Sequence, residues 1–201
     1  ERLLTRPSSA RLFASPAANM RVLTALRSYA RSSSIGFIGM GQIGRPMASA
    51  LMSKSKDCRI VLFDVSARTT ATVIEEQIQQ GGFKQGQVIA ASSPAEVAKL
   101  SRTVITMLPS TPHVREVYLT AETGIIAGLG ELEESDVSQS LFIDSTTLDQ
   151  KAAVEVAEQI QGLGALMVDA PVSGGVSGAK AATLSFMVGA TDEGFKRAKP
   201  F

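Results

Sequence analysis

Apolar residues alternate along this chain between two rhythms. Ile35-Gly36-Phe37-Ile38, Ile60-Val61-Leu62-Phe63, Thr103-Val104-Ile105-Thr106-Met107-Leu108, Leu141-Phe142-Ile143 and Leu166-Met167-Val168 are nearly continuous, the pattern of strands covered on both faces. Between them lie segments of helical character: Met47 to Met52, Ala67 to Gln80, Thr111 to Leu119, and Leu148 to Gln161 with Ala152, Val156 and Ile160 on one face. Gln87-Val88-Ile89-Ala90 adds a short strand. Ser93-Pro94-Ala95-Glu96 supplies a cap, a first-turn proline and a capping acid, and so starts a short helix through Val97 and Leu100. Gly81-Gly82 closes the helix before it, and Pro109 stops the strand before it. Gly124 to Gly130 reads as a turn-rich connection, and Glu131-Leu132-Glu133-Glu134-Ser135-Asp136 as a solvated acidic loop. Thr183 to Val188 alternates as a last strand, and Asp192 opens a last helix.

This strand-helix alternation predicts an α/β fold, a parallel doubly wound sheet of Rossmann type, over residues 34–190, with 191–201 beginning a further helical region. Residues 1–33 fall outside the pattern. They hold Arg2, Arg6, Arg11, Arg21, Arg27 and Arg31 among Ser, Ala and Leu, with Glu1 the only acid. That is the composition of an organelle transit peptide, and the segment is set aside from the fold as disordered. Residue 1 is Glu, so the true start lies upstream or at Met20.

Charge and cysteine narrow the field. The whole chain carries a formal +1, but without residues 1–33 it holds 14 basic and 18 acidic residues, so no nucleic-acid face is expected. Cys58 is the one cysteine, which excludes an internal disulfide or a multi-cysteine metal site, and it reads as a small apolar residue before the second strand. No apolar run approaches the eighteen or so residues of a membrane span. A soluble protein is expected.

Candidate chemistry centres on Gly39-Met40-Gly41-Gln42-Ile43-Gly44, set between a strand and a helix. In that position the first glycine permits a tight turn, the second lets backbone approach a pyrophosphate, and the third lets helix pack on strand. The phosphates would then meet the helix N-terminus. Asp64, twenty residues past Gly44 and at the end of the second strand, is placed to accept the ribose hydroxyls and to repel a 2′-phosphate. NAD is therefore expected over NADP. Ligands of doubly wound sheets lie across the strands' carboxyl ends, where Pro109-Ser110-Thr111, Asp144-Ser145-Thr146-Thr147 and Asp169-Ala170-Pro171-Val172-Ser173-Gly174-Gly175 offer hydroxyls and bare N–H groups. His113 is the single histidine and reads as a cap or surface residue. No Ser-His-Asp set or metal cluster can be assembled around it.

With these motifs in order, residues 34–201 resemble the β-hydroxyacid dehydrogenases. The resemblance rests on the segment from Phe37 to Ala48, the Met107-Leu108-Pro109 turn, Asp144 to Thr147, and Asp169 to Gly175. It implies that Gly39, Met40, Gly41, Gln42, Ile43, Gly44 and Asp64 hold the adenosine and pyrophosphate of NAD. It implies further that Leu108, Pro109 and Thr147 line the nicotinamide side, and that Ser173, Gly174 and Gly175 bind a small hydroxyacid. The reaction implied is NAD-linked oxidation of 3-hydroxyisobutyrate to methylmalonate semialdehyde, a step of valine breakdown, in the mitochondrial matrix by a homo-oligomer. Related members reduce tartronate semialdehyde or glyoxylate, or decarboxylate 6-phosphogluconate. Ile43, Ala50 and Gln150 depart from the family's usual Met, Asn and Pro, and the acidic stretch 131–136 is long for it. The family's proton-transferring lysine belongs to a helical domain beyond Phe201, so no catalytic residue is expected within this chain. Lys180, Lys196 and Lys199 read as surface lysines. A dinucleotide-binding module without catalysis is the competing class.

Overall fold

A computed structural model describes residues 31, 33–80 and 82–201. Six strands form one parallel sheet: β1 (Ser34–Ile38), β2 (Arg59–Phe63), β3 (Val88–Ala90), β4 (Thr103–Thr106), β5 (Leu141–Asp144) and β6 (Leu166–Asp169). Their spatial order is β3-β2-β1-β4-β5-β6, so the order reverses between β1 and β4. In such a sheet the loops at the reversal part and leave a crevice at the carboxyl edge.

One face is covered on its first half by α1 (Gly44–Lys54) and α2 (Ala67–Gln79), through Met47, Ala48, Met52 and Val73. The other face carries α3 (Pro94–Leu100), α4 (Thr111–Leu119), α5 (Ile125–Gly130), α6 (Glu134–Ser138) and α7 (Gln150–Gly162). Their apolar stripes, among them Val97, Val114, Tyr118, Leu129, Val156 and Ile160, form the second core layer. With helices on both sides, all of β1 and β4 is buried. Cys58, half-buried before β2, packs against the first core layer.

The chain beyond β6 turns into β7 (Val172–Ser173), α8 (Gly175–Lys180), β8 (Ser185–Phe186) and α9 (Asp192–Ala198). β7 and β8 pair antiparallel, and α9 packs on β5 and β6. An apolar cavity of about 660 Å³ remains on this side, walled by Leu51 of α1, Ile105, Ile143, Leu184 and Phe195. No helix among the described residues is long and apolar enough to cross a membrane.

Three expectations need correction. Gly124 to Gly130 is largely the helix α5, because Ile125 and Leu129 are buried and Gly128 lets the helix lie directly against α3. The acidic stretch ends in helix α6: Glu134 and Asp136 favour its N-terminal turn, and Val137 is buried beneath it. The last strand shrinks to Ser185–Phe186 paired with β7, and past it the pairing continues only as a Met187 N–H bond to Pro171 O and an isolated bridge from Gly189 to Asp169. Arg31, counted above with the leader-like residues, is buried against the fold and donates to Ala98 O, Asp136 O and Ser140 Oγ. The remaining leader-like residues, including Met20 to Arg27, and Gly81 lie outside the described residues.

Candidate functional site

The carboxyl edge at the strand reversal is built around the turn from β1 into α1. Gly39 sits at φ +91°, and a Cβ there would stand 2.3 Å from Met107 O and 3.1 Å from Leu108 Cδ2. A side chain is excluded twice, by backbone conformation and by the β4 loop pressed against the turn. Gly44 is constrained differently: a Cβ would stand 2.0 Å from Gly39 O, so α1 folds back onto its own turn only with glycine there. Gly41 has nothing within 4 Å of an added Cβ. Its bareness serves no contact inside the chain, and the open side is where a ligand backbone or phosphate can come close. α1 has no side-chain cap and no acid in its first turn. Arg45 and Met47 N–H donate to Gly41 O and Ile43 O and Pro46 has no N–H, so what this end offers an anion is its positive dipole and the turn leading into it. These features fit a dinucleotide's pyrophosphate.

Asp64 lies immediately after β2 and bridges two loops. Its Oδ2 accepts from Met40 N–H at 2.7 Å and its Oδ1 from Ser66 N–H at 2.8 Å. One carboxylate therefore fixes the glycine turn to the β2 turn, and each oxygen keeps a lone pair for a further donor. Val65, beside it, is 91% exposed, an apolar side chain held out at the same edge. Arg45 and Glu76 close α1 to α2 behind it with an ion pair.

On the other side of the reversal the polar groups are enclosed, Thr106 and Asp144 fully and Asp169 in part. Thr106, Asp144 and Asp169 occupy in-register positions at the ends of β4, β5 and β6. Asp144 is wholly buried, with Oδ1 accepting from Thr106 Oγ1 at 2.8 Å, Thr146 Oγ1 at 2.7 Å and Thr146 N–H at 3.1 Å. Its Oδ2 has no hydrogen-bond partner among the described residues. Burial pushes the Asp144 carboxyl up to about 6, with the Asp169 charge adding to the effect and the threonine hydrogen bonds opposing it. Thr146 Oγ1 also accepts from Leu108 N–H at 2.9 Å, and Thr106 Oγ1 meets Tyr118 Oη at 2.9 Å. The Tyr118 phenol is driven well above its ordinary range by burial and by the Asp144 charge, so it stays a neutral partner of the network.

The residues singled out from the sequence divide accordingly. Gly39 to Gly44, Asp64, Leu108 and Pro109 meet at one edge, with Leu108 buried and Pro109 exposed. Thr147 is exposed just past the buried Thr146. Ser173 and Gly174 are exposed in the loop before α8, Gly175 begins that helix, and α8 packs beside α1. His113 does not join them: it is exposed, its Nδ1 2.9 Å from Ser110 Oγ at the start of α4. Lys180, Lys196 and Lys199 are exposed. Among the described residues no group of three or more His, Cys, Asp or Glu could hold a metal ion. Periodicity does not point to the Thr106–Asp144–Tyr118 network. The available signal is a threonine and an aspartate ending strands that are otherwise apolar.

Residues 34–201 match the family model described as the NAD binding domain of 6-phosphogluconate dehydrogenase. The chain is 38% identical over 173 residues to mitochondrial 3-hydroxyisobutyrate dehydrogenase of Mus musculus, covering 86% of this chain and 46% of that protein. It is 36% identical over 166 residues to 3-hydroxyisobutyrate dehydrogenase of Pseudomonas aeruginosa, covering 83% and 49%. The chain thus spans about half the length of the curated relatives it matches. Among solved structures, Mycobacterium tuberculosis 3-hydroxyisobutyrate dehydrogenase with L-serine superposes with a TM-score of 0.62 at 30% identity, over 84% of this chain and 50% of that one. The structure of Psf3 in complex with NADP+ and 2-OPP shares the fold, with a TM-score of 0.68 at 22% identity over 83% and 52%. Because the family match takes in the entire sheet and every loop at its carboxyl edge, this chain belongs to the family defined by the NAD-binding domain of 6-phosphogluconate dehydrogenase.

Proposed function

We propose that this chain is the cofactor-binding part of a dehydrogenase that oxidises 3-hydroxyisobutyrate to methylmalonate semialdehyde with NAD. The observation that carries the cofactor reading is the open side of Gly41 beside Asp64. In this reading the glycine turn and the positive dipole end of α1 hold the pyrophosphate, and the free lone pairs of Asp64 take the ribose hydroxyls. Asp64 also opposes a 2′-phosphate, which favours NAD. Leu108, Pro109 and Thr147 flank the nicotinamide, while Ser173 Oγ and the Gly174 and Gly175 N–H groups hold the substrate carboxylate and hydroxyl. When bound, the cofactor supplies a hydride acceptor.

The substrate assignment rests on similarity to 3-hydroxyisobutyrate dehydrogenases from animals and bacteria. One of them has been solved with L-serine, like 3-hydroxyisobutyrate a three-carbon acid backbone with a primary alcohol. The proton acceptor is assigned to the part of the relatives that this chain does not span, because the family resemblance places its proton-transferring lysine there. The mitochondrial relatives and the arginine-rich residues 1–30 support a mitochondrial matrix protein, and the whole enzyme is proposed to be a homo-oligomer.

The test is a substrate panel. The full-length enzyme containing this chain should turn over 3-hydroxyisobutyrate with NAD faster than tartronate semialdehyde, glyoxylate or 6-phosphogluconate are converted. Preference for any other member of the panel would overturn the assignment. The 201-residue chain should bind NADH and turn over nothing, because losing a general base alone costs about 10² to 10⁴ in rate.

A further inference from the structure

Leu108 is two residues past β4, and its N–H is bonded to a side chain where Met107 N–H is still bonded to the sheet. Met107 N–H donates to Ile38 O at 3.0 Å, whereas Leu108 N–H donates to Thr146 Oγ1 at 2.9 Å. That hydroxyl spends its proton on Asp144 Oδ1 at 2.7 Å, so a single rotamer serves both bonds. Asp144 is itself held by Thr106 and by Thr146 N–H. From the opposite side the same turn is pressed by Gly39, where a Cβ would meet Met107 O at 2.3 Å. The β4 turn is therefore gripped between the glycine turn and a buried carboxylate-hydroxyl pair.

Apolar packing would cover this edge at less cost than a buried carboxylate with an orphaned Oδ2. What the network adds is a fixed position for one backbone turn at the mouth of the crevice. Resting on the dinucleotide reading above, we propose that Thr146, oriented by Asp144, is a positioning residue. It sets the Leu108–Pro109 turn against which the nicotinamide end of the cofactor lies, and leaves the adenosine end, held across the reversal by Gly41 and Asp64, untouched.

The two halves of the cofactor can be weighed separately with ADP-ribose, which lacks nicotinamide, and NADH, whose nicotinamide fluorescence reports that ring's surroundings. In the 201-residue chain, Thr146→Val should leave ADP-ribose affinity within about twofold and weaken NADH about tenfold, the scale of one orphaned buried N–H. It should also reduce the fluorescence gain on binding, and Thr146→Ser should restore both. Thr146→Cys keeps the side chain's size while weakening both hydrogen bonds, so it carries the same comparison with a smaller NADH-selective loss if Thr146→Val does not melt cooperatively. Equal losses for the two ligands, or no loss for either in a folded variant, would overturn the proposal. A wild-type chain that binds neither ligand would instead reject the dinucleotide reading, and this assignment with it.

Discussion

Asp64 holds two loops and is proposed to hold a ribose, and the two roles respond differently to substitution. Asp64→Ala removes the acceptor for Met40 and Ser66 N–H together with the charge that opposes a 2′-phosphate. Arg68, exposed in the first turn of α2, is then a cation available to pair with such a phosphate. NADH affinity should fall about 10- to 100-fold and NADPH affinity much less, read by fluorescence titration. An unchanged ratio of the two would mean that Asp64 only ties loops together. Asp144 makes a separate prediction. Its carboxyl is raised from 3.8 to about 6 by burial, so the folded state binds its proton more tightly than the unfolded chain does. The stability it contributes is full below about pH 4 and is lost as pH rises through 6. The loss is on the order of 3 kcal/mol. Asp144→Asn should flatten that part of the stability profile in denaturant unfolding between pH 4 and 7. Parallel profiles for the two proteins would show that Asp144 is not held in this way.

At the scale of elements, sequence pattern and structure agree where one physical rule dominates. Five of the six parallel strands are legible because strands buried on both faces cannot alternate; β3, at the sheet edge, has the burial pattern of a half-exposed strand. The start of α3 is legible because Ser93 Oγ accepts Glu96 N–H at 3.2 Å. Even there the acid reaches one residue further back than the usual capping box, to Ser92 N–H and Oγ at 2.6 Å each. Helix α5 is not legible, since local propensity reads Gly124, Gly128 and Gly130 as turns, whereas tertiary contact makes Gly128 the residue that lets α5 touch α3. A Cβ at Gly128 would lie 2.2 Å from Ala95 O, but one at Gly130 would meet nothing within 4 Å. Gly128→Ala should therefore destabilise the domain by about 2 kcal/mol or more, and Gly130→Ala by at most about 0.5 kcal/mol. Equal melting temperatures for the two variants would contradict this packing.

The whole molecule brings together residues that are distant in sequence, and it is here that single-sequence reading falls short. The glycine turn and Asp64 are legible because motif and strand end recur at a fixed spacing. The Thr106–Asp144–Thr146–Tyr118 network is not, because its bonds join β4, α4 and the end of β5 across the sheet edge. Nor is the role of Arg31, which composition groups with the residues before it although its guanidinium is buried among Ala98, Asp136 and Ser140. Burial lowers that guanidinium to about 10. Removing residues 1–30 should leave the melting temperature unchanged, and removing residues 1–33 should lower it by several degrees. An equal effect of the two truncations would exclude Arg31 from the folded unit.

The central claim is that the carboxyl edge between β1 and β4 is a cradle for a dinucleotide pyrophosphate, and Gly41 tests it most directly. An added methyl there meets no atom of the described residues within 4 Å, so Gly41→Ala should melt within about 2 °C of the unaltered chain. The same methyl would occupy the space a pyrophosphate needs, and NADH affinity should fall at least tenfold. A folded Gly41→Ala chain that binds NADH as tightly as the unaltered one would contradict the account.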